Sequence, residues 1–110
     1  MNISDVLMVY LTAADEGEAV RLAEQLVESR VAACVNVLGA VQSVYRWQGK
    51  VERAAEVALI AKTTRAQFPL LEQKIKELHS YECPCIVAWP LSEGHQPFLA
   101  WVREQVATPD

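Results

Sequence analysis

Two extended runs, Val41 to Trp47 and Lys50 to Thr63, flank Gln48-Gly49 and constrain this chain more than any other feature. On the first run Val41, Ser43, Tyr45 and Trp47 fall on one side, and Gln42, Val44 and Arg46 on the other. That is the period of two that a strand imposes. Glycine accepts positive φ, so Gln48-Gly49 suits a two-residue hairpin turn. The arms reach about a dozen residues, roughly 40 Å at ~3.3 Å per residue. A compact body of this length has a radius of gyration near ~13 Å. Part of the hairpin must therefore stand out from its own sheet, with open strand edges that need covering. Either another copy of the chain covers them, closing head-to-tail into a ring, or the hairpin curls back on its own helices.

The patterns around the hairpin set the order of elements. Asp5 to Thr12 is a compact apolar run that reads as a buried strand. Asp15 stands three residues before Glu18, a capping-box start. Ala19, Leu22, Ala23, Leu26 and Val27 follow at helical spacing. Ala33 to Leu38 is a second strand-like run, and Gly39-Ala40 predicts a bulge or kink before the hairpin arm. A second helix opens near Thr64–Gln67, with Pro69 in its first turn, and carries Phe68, Leu71, Ile75 and Leu78. Cys85 to Trp89 is a fourth strand stopped by Pro90, and a third helix opens over Gly94 to Pro97. The order βαββαβ plus a C-terminal helix predicts one α+β domain over residues 1–110. Its fold is the ferredoxin-like split βαβ sandwich with a long protruding hairpin between the second and third strands.

Composition narrows the function. Of 110 residues, 52% are hydrophobic and the net charge is −4, so neither disorder nor a basic nucleic-acid footprint is expected. No apolar stretch approaches the ~20 residues of a membrane span. The N-terminus has no basic segment leading into an apolar one, so no signal peptide is expected. Three cysteines are too few for a disulfide framework, and reduced thiols in the cytoplasm are the expectation.

The residues with chemistry to offer are few. Cys83-Pro84-Cys85, beside His79 and Glu82, brings soft ligands together at a spacing that lets both sulfurs reach one ion. The same cysteines equally read as small apolar fillers at a strand entrance, and Cys34 reads as core. Lys62-Thr63-Thr64, at a strand end, offers either an anion cradle or an ordinary helix start. Tyr45, Trp47, Tyr81 and Trp89 line a ligand cleft or a subunit boundary. No nucleophile elbow, zinc-protease helix or phosphate loop is present, and no enzyme activity or organic cofactor is expected.

Four segments then combine. Ala32-Ala33-Cys34-Val35-Asn36-Val37, Ser43-Val44-Tyr45-Arg46-Trp47-Gln48-Gly49-Lys50-Val51-Glu52, Lys62-Thr63-Thr64 and Glu77-Leu78-His79-Ser80-Tyr81-Glu82-Cys83-Pro84 closely resemble the CutA divalent-cation-tolerance proteins. The resemblance implies a homotrimer closed by intersubunit strand pairing, with an architecture like the PII signalling proteins. It implies tolerance of copper or another divalent cation, with Cys34 and His79 at positions where metal ligation has been proposed. It also implies an intersubunit cleft using Tyr45, Trp47, Lys62 and Tyr81. Cys85 stands where the family frequently has glutamate, and Cys83 where an apolar residue or threonine is usual. These exchanges favour softer ions at a site drawn from Cys34, His79, Glu82, Cys83 and Cys85. The leading expectation is a trimeric metal-binding tolerance protein that passes its state to a protein partner. The alternatives are a PII-like small-ligand module and a structural trimer anchoring other proteins.

Overall fold

Alternating burial decides how the sheet is covered. In β1 (Val6–Ala13), Leu7, Val9, Leu11 and Ala13 belong to the main core, whereas Met8 and Tyr10 between them are half-buried. The computed structural model describes residues 5–107. After β1 come α1 (Glu16–Glu28), β2 (Cys34–Trp47), β3 (Lys50–Thr64), α2 (Phe68–Leu78), β4 (Ile86–Pro90) and α3 (Gln96–Gln105). The four strands form one antiparallel sheet in the order β2-β3-β1-β4. With both βαβ halves interleaved, this is the expected split βαβ arrangement.

The odd-numbered face of β1 receives α1 and α2. Leu22 and Leu26 from α1, and Leu71 and Ile75 from α2, share one core with Val9, Leu11 and Leu59 of the sheet, all essentially inaccessible. Asp15 caps α1 as its spacing to Glu18 predicts: its Oδ1 accepts the Glu18 N–H at 2.8 Å. Pro69 lies in the first turn of α2, where its missing N–H leaves no bond unmade. A smaller cluster of Leu99 and Val102 from α3, with Val106 just after it, closes over Val6 and Ala33. Val6 shares its parity with Met8, Tyr10 and Thr12, so α3 covers only one end of the second face.

The hairpin does project. β1 pairs with Val57–Thr64 of β3, and the remaining ladder, Val41–Trp47 against Lys50–Glu56, runs on past the end of β1. The molecule is accordingly 45 Å long and only 26 and 23 Å in its other dimensions. Gln48 and Gly49 both have positive φ (50° and 80°), the type I′ geometry that matches strand twist.

The bulge falls where Gly39 predicts it. Val37 pairs with Leu59 and Gly39 with Ala58, leaving Leu38 as the extra residue. One extra residue inverts parity along β2. Cys34 and Asn36 upstream, opposite Lys62 and Ile60, therefore share a face with Val41, Ser43, Tyr45 and Trp47 downstream. This face is the one that α1 and α2 leave open. Without the bulge, one half of β2 would turn its side chains the wrong way.

Candidate functional site

The open face carries a pocket of about 550 Å³ where the hairpin leaves the body. Three elements build it. The end of β1 contributes Tyr10 and Thr12, and the hairpin contributes Ser43, Tyr45, Trp47 and Glu56. The segment after α2 contributes Tyr81, Glu82, Cys83 and Cys85. The bulge supplies the odd-numbered hairpin positions, and Val41 opposite Glu56 fixes their level.

A hydrogen-bond network holds the third wall. Glu18 Oε1 accepts the Ala14 N–H at 2.8 Å, and its Oε2 accepts the Ser80 N–H at 2.7 Å, tying the start of α1 to the exit of α2. His79 Nδ1 accepts the Tyr81 N–H at 3.0 Å, which assigns the ring proton to Nε2, 2.7 Å from the Thr12 carbonyl oxygen it donates to. The His79 side chain is wholly buried, with Nδ1 4.0 Å from Glu18 Oε2. Tyr81 then reaches into the pocket, and its hydroxyl donates to Glu56 Oε2 at 2.8 Å.

Glu56 is the charged floor of the site. Burial pushes its pKa up, but hydrogen bonds from Ser43, Tyr81 and Thr12, helped by His79, outweigh burial and hold it below the usual 4.5. Glu18 behaves the same way: burial raises it, and the bonds from Ala14 and Ser80 lower it by more. Both groups therefore stabilise the fold above the ordinary carboxylate range, and lose that effect as pH falls through their depressed values. Tyr81 is pushed up to about 12 by burial, then by its bond to Glu56 and the negative charges nearby. Its protonated form is the stabilising one, so its contribution is complete below pH 10 and lost as pH rises through about 12.

The residues singled out from the sequence are divided by this geometry. Tyr45, Trp47, Tyr81, Glu82, Cys83 and Cys85 meet at the pocket. Lys62 does not: it lies on β3 opposite Cys34, six residues from Glu56, about 20 Å along the strand at ~3.3 Å per residue. Its ammonium is bonded to Asn36. Cys34 lies at the level of Met8, whereas His79 lies at Thr12, about 13 Å further along β1 at the same rise. The two are not brought together within one chain, and both His79 nitrogens already have partners. Among the described residues no three His, Cys, Asp or Glu side chains converge as a metal cage.

Cys34 and Cys85 are also poorly poised as ligands. Burial raises the Cys34 pKa against the opposing effect of Lys62, and burial with Glu56 raises that of Cys85. Ligation and nucleophilic attack both need the thiolate. The anion cradle at Lys62-Thr63-Thr64 is not formed either. Thr63 is buried and donates to the Val31 carbonyl at 2.7 Å, while Thr64 Oγ1 receives the Gln67 N–H at 3.4 Å.

Sequence reasoning missed Glu56, Thr12, Ser43 and Tyr10. A signal for Glu56 was present: the alternation Val57, Leu59, Ala61 puts Glu56 on the opposite face, where an acid interrupts Ala54, Ala58 and Ile60.

A split βαβ sheet with one face open, and a polar-floored aromatic pocket at the root of a projecting hairpin, defines an α+β protein of the ferredoxin-like class. Residues 7–105 match the family described as CutA1 divalent ion tolerance protein. The divalent-cation tolerance protein CutA of Thermus thermophilus is 45% identical over 97 residues, covering 88% of this chain and 94% of that one. The Thermus CutA1 structure superposes with a TM-score of 0.91 at 43% identity, covering 93% of this chain and 99% of the other. A structure described as the periplasmic CutA of Archaeoglobus fulgidus gives 0.89 at 40% identity, covering 93% and 99%. The chain belongs to the CutA1 divalent ion tolerance family. That description records a tolerance and names no reaction. No helix of the described residues is long and apolar enough to cross a membrane.

Proposed function

We propose that this chain serves divalent-cation tolerance as a small-ligand-responsive module, working through the pocket at the hairpin root. The observation that carries this reading is the cavity of about 550 Å³, in which Tyr45, Trp47 and Tyr81 surround a hydrogen-bonded carboxylate. Small-molecule sites typically measure ~300–1,000 Å³, with aromatic walls and a few fixed polar groups. Occupancy would be passed to a protein partner through the hairpin, the element that the ligand and the body share.

The test is ligand-observed NMR of the full chain with a panel of small charged, polar and aromatic fragments. Hits are expected to compete with one another and to disappear in a Tyr45→Ala/Trp47→Ala variant. A panel without hits, or hits indifferent to that variant, would contradict the reading.

The working form we propose is a homotrimer in the cytoplasm. Its support is the open face, where Val87 (53% exposed) and Trp89 (43%) stand in solvent on the edge strand β4, together with the opposite edge strand, β2, of 14 residues. Apolar surface and free edges on this scale call for coverage by further copies. Three unpaired cysteines suit a reducing compartment. Sedimentation equilibrium at micromolar concentration is expected to give three times the chain mass, and a monomer would contradict the assembly.

A second reading, direct capture of copper or another divalent cation for metal homeostasis, is favoured by one observation. Cys83 and Cys85 are both exposed on the pocket wall beside Glu82, where an ion can reach them. Cys34 and His79 do not join that set within a chain.

A further inference from the structure

We propose that the helix-side face of the projecting hairpin is the docking surface for an acidic amphipathic helix of a protein partner. The inference rests on the reading that the hairpin passes the state of the pocket to such a partner. The helix layer ends where the hairpin begins. Ala13 stands opposite Val57, the chain turns into α1 at Glu16, and α2 stops at Leu78, whose next residue, His79, is bonded to Thr12. Beyond that level the ladder of Val41–Trp47 against Lys50–Glu56 runs on for about 20 Å at ~3.3 Å per residue. Its helix-side residues are all exposed. Two strands make a shelf about 10 Å wide, the diameter of one helix, and about 20 Å of length holds roughly 13 helical residues.

The chemistry of the shelf names its occupant. The parity of the core residues Val57 and Leu59 puts Val51, Arg53 and Ala55 on the helix side, with Arg46, Val44 and Gln42 opposite them. Val44 (64%) and Val51 (63%) are the most exposed large apolar side chains among the described residues. Arg46 faces Val51 and Arg53 faces Val44, so each valine is paired with a cation, while Glu52 and Glu56 belong to the other face. Neither arginine is in an ion pair among the described residues. Valines between uncompensated arginines, on a chain of net charge −4, fit apolar side chains bordered by carboxylates and repel a basic partner. This shelf lies on the opposite side of the sheet from the face that further copies cover, so covering the pocket does not consume it.

The experiment is amide-detected NMR titration of the full chain, in its assembled form, with two alanine-based helical peptides. One carries a leucine stripe flanked by glutamates, and its twin has lysine at every glutamate. The acidic peptide is expected to move the resonances of Val44, Arg46, Val51 and Arg53 saturably, binding at least about tenfold more tightly than the basic twin. Arg46→Glu/Arg53→Glu is expected to reverse that preference, and Val44→Ser/Val51→Ser to weaken the acidic peptide, while sedimentation still gives the parent mass. Equal binding of the twins, movement confined to other resonances, or no movement overturns the docking surface. A fall in assembly mass with either variant also overturns it, by giving this face to a neighbouring copy. So does binding of phosphatidylglycerol vesicles through the same resonances with the acidic peptide inert, which would give the face to a membrane. Pocket fragment hits that persist when docking fails leave the ligand reading standing. A silent fragment panel beside acidic docking overturns that reading and supports the surface.

Discussion

Replacing Glu18 with alanine is expected to cost about 2–4 kcal/mol of stability and to loosen the pocket wall, although Glu18 does not line the pocket. The residue is only 6% exposed, and its carboxylate satisfies two backbone donors, Ala14 N–H and Ser80 N–H, from segments far apart in the chain. Alanine removes both bonds; a hydrogen bond to a charged group is worth about 1.5–3 kcal/mol, and less where, as at Ala14 and Ser80, water can reach the donor. Denaturant unfolding measures the loss. Amide exchange at Ser80 and Tyr81 reports whether the wall has come free. Glutamine, with one acceptor oxygen left, is expected to fall between alanine and the parent. The parent should also lose stability as pH drops below the ordinary carboxylate value of 4.5, because Glu18 and Glu56 both titrate lower when folded. Glu18→Gln should flatten that acid slope. An unchanged slope and an unchanged denaturation midpoint would show that the carboxylate is not the tie described here.

The second large effect is expected at the bulge. Gly39 has φ 118°, and a Cβ built there meets no atom within 4 Å. The cost of valine at this position would therefore lie in backbone conformation alone, about 2–3 kcal/mol for a β-branched residue forced to positive φ. The register supplies an unusual rescue. Val37 faces Leu59 and Gly39 faces Ala58, so deleting Leu38 leaves every other pairing in place and removes the need for a bulge. Gly39→Val is expected to lower the midpoint of thermal unfolding by several degrees, and Gly39→Val with Leu38 deleted to recover most of it. A deletion that further destabilises the valine variant would show that the bulge does more than conserve parity.

Local patterns made much of this fold legible. Asp15, Gln48-Gly49, Gly39 and Pro69 each impose a local geometry, and each is found in the expected role. The Glu18 carboxylate, by contrast, turns from the Asp15 N–H of a full capping box to those of Ala14 and Ser80. The projecting hairpin followed from length alone. The site was legible only in part, because its assembly depends on register between distant strands. Tyr45, Trp47 and Tyr81 meet because the bulge inverts β2 and the Glu18 bonds dock the segment after α2 against β1. Cys34 and His79 looked like partners because nothing local shows that they differ by four residues of strand. Lys62 likewise shares a face with the pocket and lies at its other end. Glu56 sat unnoticed in a long strand, since an acid on a half-covered sheet is ordinary until hydroxyls from three other segments converge on it.

On the proposed reading, the aromatic and acidic wall of this pocket, and not its thiols, is the functional element. The most direct measurement is the affinity of the pocket's fragment hits for a Cys34→Ser/Cys83→Ser/Cys85→Ser variant, determined by amide-detected NMR beside the parent. Affinities within about twofold of the parent are expected, since serine preserves the shape of the wall and Glu56, Tyr45, Trp47 and Tyr81 are untouched. Loss of binding with the thiols, in a variant whose unfolding midpoint is unchanged, would contradict that reading and return the site to the cysteines.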